Sequence, residues 1–375
     1  MKILLIGNQS STIILFRKKL IERLVFSGVT VHVLVMDNDR SNFQQISLLG
    51  AIPEQYEFSR SGMNPLSDLV NTVALSKKIR LINPDVVFCF FPKPVIFGTL
   101  AAKLAGVKNI YSLLEGLGFC YTQHSKKDSF KKKALKATQT FLYKLTLPRA
   151  KKVLFLNRDD YRDLVVQNNI KISEFEVIGG IGVDLNDYSY NKPATNVIHF
   201  GMVSRLLVEK GVREFVQAAK IVKAQFPQVR FSIAGAIDDN PGGITREQLN
   251  IWKNEGHVEF LGQISDVKSY LNELSVFVLP SYREGIPRST QEAMSIGRAI
   301  ITTDVPGCRE TVVDGLNGLM VPPWDVDALA SAMSSLIDKP EQIVSMGIES
   351  RRIAEDKFDD KTATDKLIDI LIARD

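Results

Sequence analysis

The chain has 375 residues, 47 Lys plus Arg against 42 Asp plus Glu for a net +5, a 45% hydrophobic share and three cysteines. At roughly 100–200 residues per domain the length suggests two domains, and a composition near the soluble average excludes a disordered chain or a disulfide-stapled miniprotein. No apolar run nears the ~20 residues that cross a bilayer, MKILLIGN stops too early for a signal-peptide core, and Cys89, Cys120 and Cys308 form no metal or haem motif, so a reducing cytoplasm is expected.

The opening KILLIG reads as a buried parallel strand, followed by a helix from Ile14 to Phe26 and a second strand over Val29–Met36. Strands are predicted at Asp85–Phe91, Asn109–Leu114 and Lys152–Leu156, with helical patterns between them such as Leu66–Leu81. After the linker-like NKPAT the rhythm restarts: strands at Val197–Gly201, Arg230–Ala234, Val276–Pro280 and Ala299–Thr302, helices at Val212–Phe226, Val267–Glu273, Ser289–Ile296 and Val326–Ile337. This alternation predicts two doubly wound α/β domains in tandem, with ligands gathering at the carboxyl ends of the strands and in the cleft between the domains.

Three strand-to-helix loops carry candidate chemistry. In VFVLPSYREGIPRSTQEAMSIG, Glu284 in the loop and Glu292 on the helix are both placed to accept hydrogen bonds from vicinal hydroxyls, and the Gly285–Ile286 backbone can approach a phosphate. The same Ser289-Thr-Gln-Glu292 string also fits a capping box. In FGMVSRLLVEKGVREF, Arg205 and Lys210 stand beside a helix start, where an anion between them is the favourable arrangement; solvated surface cations are the plainer alternative. In LLEGLGFCYTQH, Glu115 follows a buried strand directly and either caps a helix, pairs with a basic neighbour or acts on a ligand. The four histidines, His32, His124, His199 and His257, are scattered without metal spacing.

The combination of Gly201, Arg205, Lys210 and Gly211 with the Pro280–Ala293 loop and PGCRETVVDGLNGLMVPPWD resembles the retaining nucleotide-sugar glycosyltransferases of family 4, with the GT-B fold. The resemblance implies an acceptor-binding domain over residues 1–190, joined by a carboxy-terminal helix at about 358–375 that packs back on it, and a donor-binding domain over 191–357. It implies that Arg205 and Lys210 bind the donor diphosphate, that Glu284 holds the donor sugar and Glu292 the ribose, and that Gly285, Ile286, Pro287, Ser204, Gly201 and Ile264 line the donor site. No metal or other cofactor is expected beyond a UDP-sugar donor. In the first half Gly7-Asn8-Gln9-Ser10 replaces the family's glycine pair, and Glu115 stands where the family has a histidine. The EGLG variant and YEFSRSGMNP are similar to bacterial enzymes that extend undecaprenyl-diphosphate-linked glycans for O-antigen, capsule or protein glycosylation, which implies an acceptor side at Arg60, Gly116 and Ser10, with Glu115 catalytic. A nucleotide-sugar epimerase of the same architecture and a non-catalytic sugar-nucleotide-binding protein are the rival readings.

The charge is uneven. Residues 1–190 hold 26 basic and 16 acidic side chains (+10) and residues 191–375 hold 21 and 26 (−5), while Lys126–Lys152 carries nine Lys and one Arg against Asp128. Next to the apolar Phe141–Leu147 stretch, this segment suits an anionic membrane surface, giving an expected peripheral location on the inner face of the cytoplasmic membrane. Nucleic acid is not an expected partner, since no aromatic platform accompanies the charge.

Overall fold

A computed structural model describes residues 1–58, 65–123, 129–238, 240 and 242–372. Arg60 and the first part of the basic segment, Lys126–Asp128, lie outside the described residues. The chain divides into two compact units, one of Met1–Cys120, Phe130–Ile181 and Lys361–Asp375, the other of Tyr121–Ser129 and Gly182–Asp360.

The first unit is built on a seven-stranded parallel sheet: β1 (Lys2–Ile6), β2 (Thr30–Val35), β3 (Ile52–Gln55), β4 (Val86–Phe90), β5 (Asn109–Leu114), β6 (Lys152–Phe155) and β7 (Phe175–Val177), in the order β3-β2-β1-β4-β5-β6-β7. Its helices are α1 (Ser10–Phe26), α2 (Arg40–Leu48), α3 (Pro65–Ile82), α4 (Thr99–Leu104), α5 (Phe130–Thr146) and the short α6 (Arg158–Tyr161). Helices cover both faces of such a sheet, so its central strands must be apolar throughout. Accordingly Ile3–Ile6 and every residue of β4 are buried, and Ile3 sits in register with Val31 and Val86.

The second unit repeats the plan with β8 (His199–Val203), α7 (Val212–Gln225), β9 (Arg230–Ala234), α8 (Arg246–Glu255), β10 (Glu259–Gly262), α9 (Val267–Glu273), β11 (Val276–Leu279), α10 (Arg288–Ile296), β12 (Ala299–Thr303), β13 (Gly318–Val321), α11 (Val326–Asp338) and α12 (Pro340–Lys357). The strand order is β10-β9-β8-β11-β12-β13, all parallel. The final helix, α13 (Asp360–Ile372), lies on the first unit, where Asp365 pairs with Arg23 at 2.6 Å and Lys366 donates to the Val177 carbonyl at 3.1 Å.

His199 shows why a lone strand histidine need not be a ligand. It is buried in β8 with Nε2 2.7 Å from Ser232 Oγ, and burial, aided by the Arg230 charge, pushes its pKa down to about 4. His32 in β2 is likewise shifted down by burial.

Candidate active site

Each sheet has one place where the strand order reverses. In the second unit that crevice lies between β8 and β11, and in doubly wound folds ligands bind outside the carboxyl ends of the strands at such a point. The loop after β8 carries Ser204, Arg205 and Lys210, and the loop after β11 carries Ser281 to Pro287.

At their amino ends the helices that follow these two strands differ from α8, α9 and α11, while α12, with Lys339 at its cap position, is likewise without a side-chain cap. Thr245, Asp266 and Asp325 cap α8, α9 and α11 through side-chain oxygens. Neither α7, with Gly211 at its cap position, nor α10, with Pro287, has a side-chain cap. A helix amino terminus presents unpaired N–H groups and a positive dipole end, so the switch point joins two helix starts able to receive an anion.

The two loops are locked together by backbone. Gly211 is in the left-handed region, φ 73°, and a Cβ there would strike the Pro280 carbonyl, so only glycine lets the β8 loop close on the β11 loop. The Tyr282 amide donates to the Glu209 carbonyl at 2.9 Å. From the other side Gly307, φ 80°, leaves no room for a Cβ against the Glu284 and Gly285 carbonyls, and the Glu284 amide donates to the Pro306 carbonyl at 3.0 Å. Glu284 is thereby aimed by its own backbone.

Lys210 Nζ meets Glu284 Oε1 at 2.5 Å, and Ser281 Oγ donates to the same oxygen at 2.7 Å. Both charged side chains are largely buried, so the pair is little screened. The anion beside Lys210 in this structure is therefore the Glu284 carboxylate. Arg205 is half exposed and is held by Asp238 at 2.7 Å. Glu292 makes no capping box: Arg288, one turn earlier on α10, donates to it at 2.8 Å, and Tyr188 also bonds it. Burial raises the Glu292 pKa while Arg288 pulls it down, and burial beside Glu292 raises that of Tyr188.

The remaining donor-side residues separate by role. Gly285, Ile286 and Pro287 are buried at the start of α10, with the Ile286 carbonyl accepting from Gln291 at 3.3 Å. Ile264 is half-buried in the loop after β10, at the same sheet edge as Ser204. Gly201 lies inside β8, and the space a Cβ would take is filled by Leu274 and Tyr270, so its smallness serves strand packing.

In the first unit, Glu115 follows β5 and is paired with Arg17 of α1; side chains of both are nearly inaccessible, at 9% and 1% exposure. The Arg17 guanidinium also lies over the Phe90 ring, 4.4 Å from its centroid. Of the readings open for Glu115, pairing with a basic neighbour is realised, and among the described residues Oε2 has no hydrogen-bond partner. Gly116, φ 114°, starts the loop beyond it. Ser10 is fully buried, and its hydroxyl donates to Asp37 at 2.6 Å and accepts from Asn42 at 3.0 Å.

Sequence reasoning missed Ser281, Asp238, Tyr188, Arg288 and Arg17. Only Arg288 left a signal, its i,i+4 spacing to Glu292. Ser281 meets Glu284 three residues on within one loop, whereas Asp238, Tyr188 and Arg17 meet partners distant in sequence. Among the described residues no group of three or more His, Cys, Asp or Glu could hold a metal ion.

Paired doubly wound units with an anion-ready switch point are the architecture of GT-B glycosyltransferases. The fold is shared along the full length with Anabaena HepE solved with UDP-glucose, at TM-score 0.79 and 18% identity over 100% of both chains, and with the lipopolysaccharide outer core galactosyltransferase WaaB, at TM-score 0.70 and 18% identity over 100% of this chain and 99% of that one. Residues 197–339 match the family model for glycosyl transferases group 1 and residues 2–157 that for glycosyl transferase 4-like domains. The chain is 30% identical over 90% of both lengths to the N,N'-diacetylbacillosaminyl-diphospho-undecaprenol alpha-1,3-N-acetylgalactosaminyltransferase of Campylobacter jejuni. It is 25% identical, over 82% of this chain and 80% of the other, to the UDP-Gal:alpha-D-GlcNAc-diphosphoundecaprenol alpha-1,3-galactosyltransferase of Escherichia coli. The protein belongs to the group 1, 4-like glycosyltransferases and is a glycosyltransferase enzyme.

Proposed function

We propose that the enzyme transfers a hexose or N-acetylhexosamine from a UDP-sugar to an undecaprenyl-diphosphate-linked saccharide, with retention, during assembly of a bacterial surface polysaccharide. The observation that carries this reading is the full-length similarity to the Campylobacter transferase, whose named acceptor is diphospho-undecaprenol-linked. The uncapped α7 and α10 at the second unit's switch point supply the chemistry it requires.

In this reading the second unit binds the donor and the first the acceptor. The bond from the sugar anomeric carbon to the diphosphate oxygen breaks, and a bond to an acceptor hydroxyl oxygen forms on the same face. The hydroxyl proton passes to the leaving phosphate. Negative charge grows on the UDP diphosphate, and Lys210, Arg205 and the amide groups at the two helix starts stabilise it, the kind of electrostatic contribution that usually dominates. Glu284, relieved of Lys210 when the phosphate binds that lysine, accepts hydrogen bonds from sugar hydroxyls. Glu292 takes the ribose hydroxyls, Gly285 to Pro287 line the phosphate and sugar, and Ser204 and Ile264 flank the nucleotide. Glu115, Gly116 and Arg60 serve the acceptor. Incubation with a panel of UDP-sugars and a polyprenyl-diphosphate saccharide should release UDP and yield an α-linked product by mass spectrometry and NMR. No transfer from any donor would sink the reading.

The same reading places the enzyme on the inner face of the cytoplasmic membrane. No described helix is long and apolar enough to cross a membrane. Along α5, Lys131, Lys133, Lys136 and Lys144 are exposed, as are Phe130 and Phe141, whereas Lys132 is buried with its ammonium 5.3 Å from the Phe119 ring centroid. At about 1 kcal/mol per cation near an anionic surface, Lys131→Gln, Lys133→Gln and Lys136→Gln together should weaken cosedimentation with phosphatidylglycerol vesicles roughly a hundredfold. Unchanged cosedimentation would remove α5 as the docking face.

A further inference from the structure

The second half of helix α3 buries Leu75, Ile79 and Ile82 in the ordinary way, but its first half is inverted. Its polar residues Asp68, Thr72 and Ser76 face inward and are buried, while Leu66, Leu69, Val70 and Val73 are exposed at the i, i+3, i+4, i+7 spacing of one helical stripe. A contiguous exposed apolar face of this kind marks an interaction site. Beside it the first unit holds a cavity of about 490 Å³ lined by Leu69, Phe97, Leu100, Leu104 and Leu142, contributed by α3, the π-helical turn at Pro94–Gly98, α4 and α5. That volume falls within the roughly 300–1,000 Å³ of small-molecule sites.

Charge at the cavity's margin is specific. Lys103 and Arg149 line it and are exposed, so both cations border the cavity where it meets solvent. Asp68, also lining it, acts on the charge of Lys93, which follows β4 at the carboxyl edge of the first unit's sheet. On another side of α5, Lys133, Lys136, Phe141 and Lys144 border a second hollow. The cavity is thus an apolar slot with cations at its mouth, continuous through α5 with a basic surface.

We propose that this cavity is a hydrocarbon-chain site that takes the diphosphate-proximal isoprene units of a polyprenyl-diphosphate acceptor. Leu69, Leu100, Leu104 and Leu142 contact the chain, and Lys103 and Arg149 face its diphosphate. The identity of the occupant rests on the lipid-linked acceptor of the reading above; the site rests on the cavity, the inverted first half of α3 and the charges at the mouth. Burial of branched apolar units supplies affinity in proportion to the area removed from water, and the two cations set the direction in which the chain enters.

The test is calorimetric binding of farnesyl diphosphate to the full chain, compared with inorganic diphosphate. The wild type should bind farnesyl diphosphate at least tenfold more tightly. Leu69→Glu and Leu104→Glu, both at exposed positions and so expected to keep the thermal midpoint, should each abolish that advantage; Lys103→Gln with Arg149→Gln should weaken farnesyl diphosphate and leave farnesol unaffected. Equal binding of the two diphosphates by the wild type, or full retention of the advantage in both Glu variants, overturns the proposal. Equal displacement of farnesyl diphosphate by phosphatidylglycerol assigns the cavity to bulk lipid and also overturns it. Because the readout needs no turnover, a chain that binds farnesyl diphosphate as expected but transfers no sugar supports this site while sinking the functional reading.

Discussion

Lys210→Ala lowers kcat by roughly 100- to 1,000-fold, the usual cost of removing one preorganised group aimed at developing charge. Lys210 stands at the start of α7, one residue before the glycine that seals the loop against Pro280, and its ammonium lies 2.5 Å from Glu284. On the proposed function, the departing diphosphate then loses one of its two cationic partners. Glu284 retains only the Ser281 hydroxyl, so a largely buried carboxylate is left undercompensated, and stability should fall by about 1–3 kcal/mol as well. Lys210→Arg separates the two effects: it keeps the charge but replaces a compact ammonium by a planar fork, so stability should recover more fully than kcat. Glu284→Gln should raise KM for the donor and lower kcat with little change in fold. Steady-state kinetics with thermal unfolding checks all three, and undiminished turnover in Lys210→Ala would remove Lys210 from the site.

Arg17→Met destabilises the protein by about 3–5 kcal/mol, because breaking a buried ion pair leaves one charge uncompensated. Arg17 is, with Arg298, one of the two largest fully buried side chains among the described residues, enclosed between Glu115 and the Phe90 ring. For a unit of this size the loss corresponds to a fall in melting temperature of about 10 °C. The double variant Arg17→Met with Glu115→Gln should recover most of it, since neutral groups of similar volume often replace a buried pair at little cost. If Glu115 also acts on the acceptor, the double variant will be stable and slow. A stable double variant with wild-type kinetics would confine Glu115 to holding α1 against β5.

The fold class was legible because of where strands lie in the sheets. Every interior strand, β1, β2, β4, β5 and β6 in one unit and β8, β9, β11 and β12 in the other, was predicted as a strand from its apolar content. The four strands that gave no signal, β3, β7, β10 and β13, are the four sheet edges. An edge strand has one neighbour and partial solvent contact, so IPEQ, with its proline, and the three-residue FEV suffice there. Helix α3 divides in a related way: Leu75, Ile79 and Ile82 join the core, yet Leu66, Leu69 and Leu81 are exposed.

The candidate site divides along the same physical line. The sequence by itself determined the α/β alternation, the loops that carry charge and the glycines beside them, because hydrophobic burial and backbone sterics are local properties. Only the tertiary structure decided which side chains meet. Lys210 and Glu284 are 74 residues apart, and Arg17 and Glu115 are 98 apart. What joins the first pair is that β8 lies next to β11, bringing the loops after them to one crevice; the second is joined by the packing of α1 against the end of β5. Strand order is set by how the whole apolar core closes, and no local pattern encodes it.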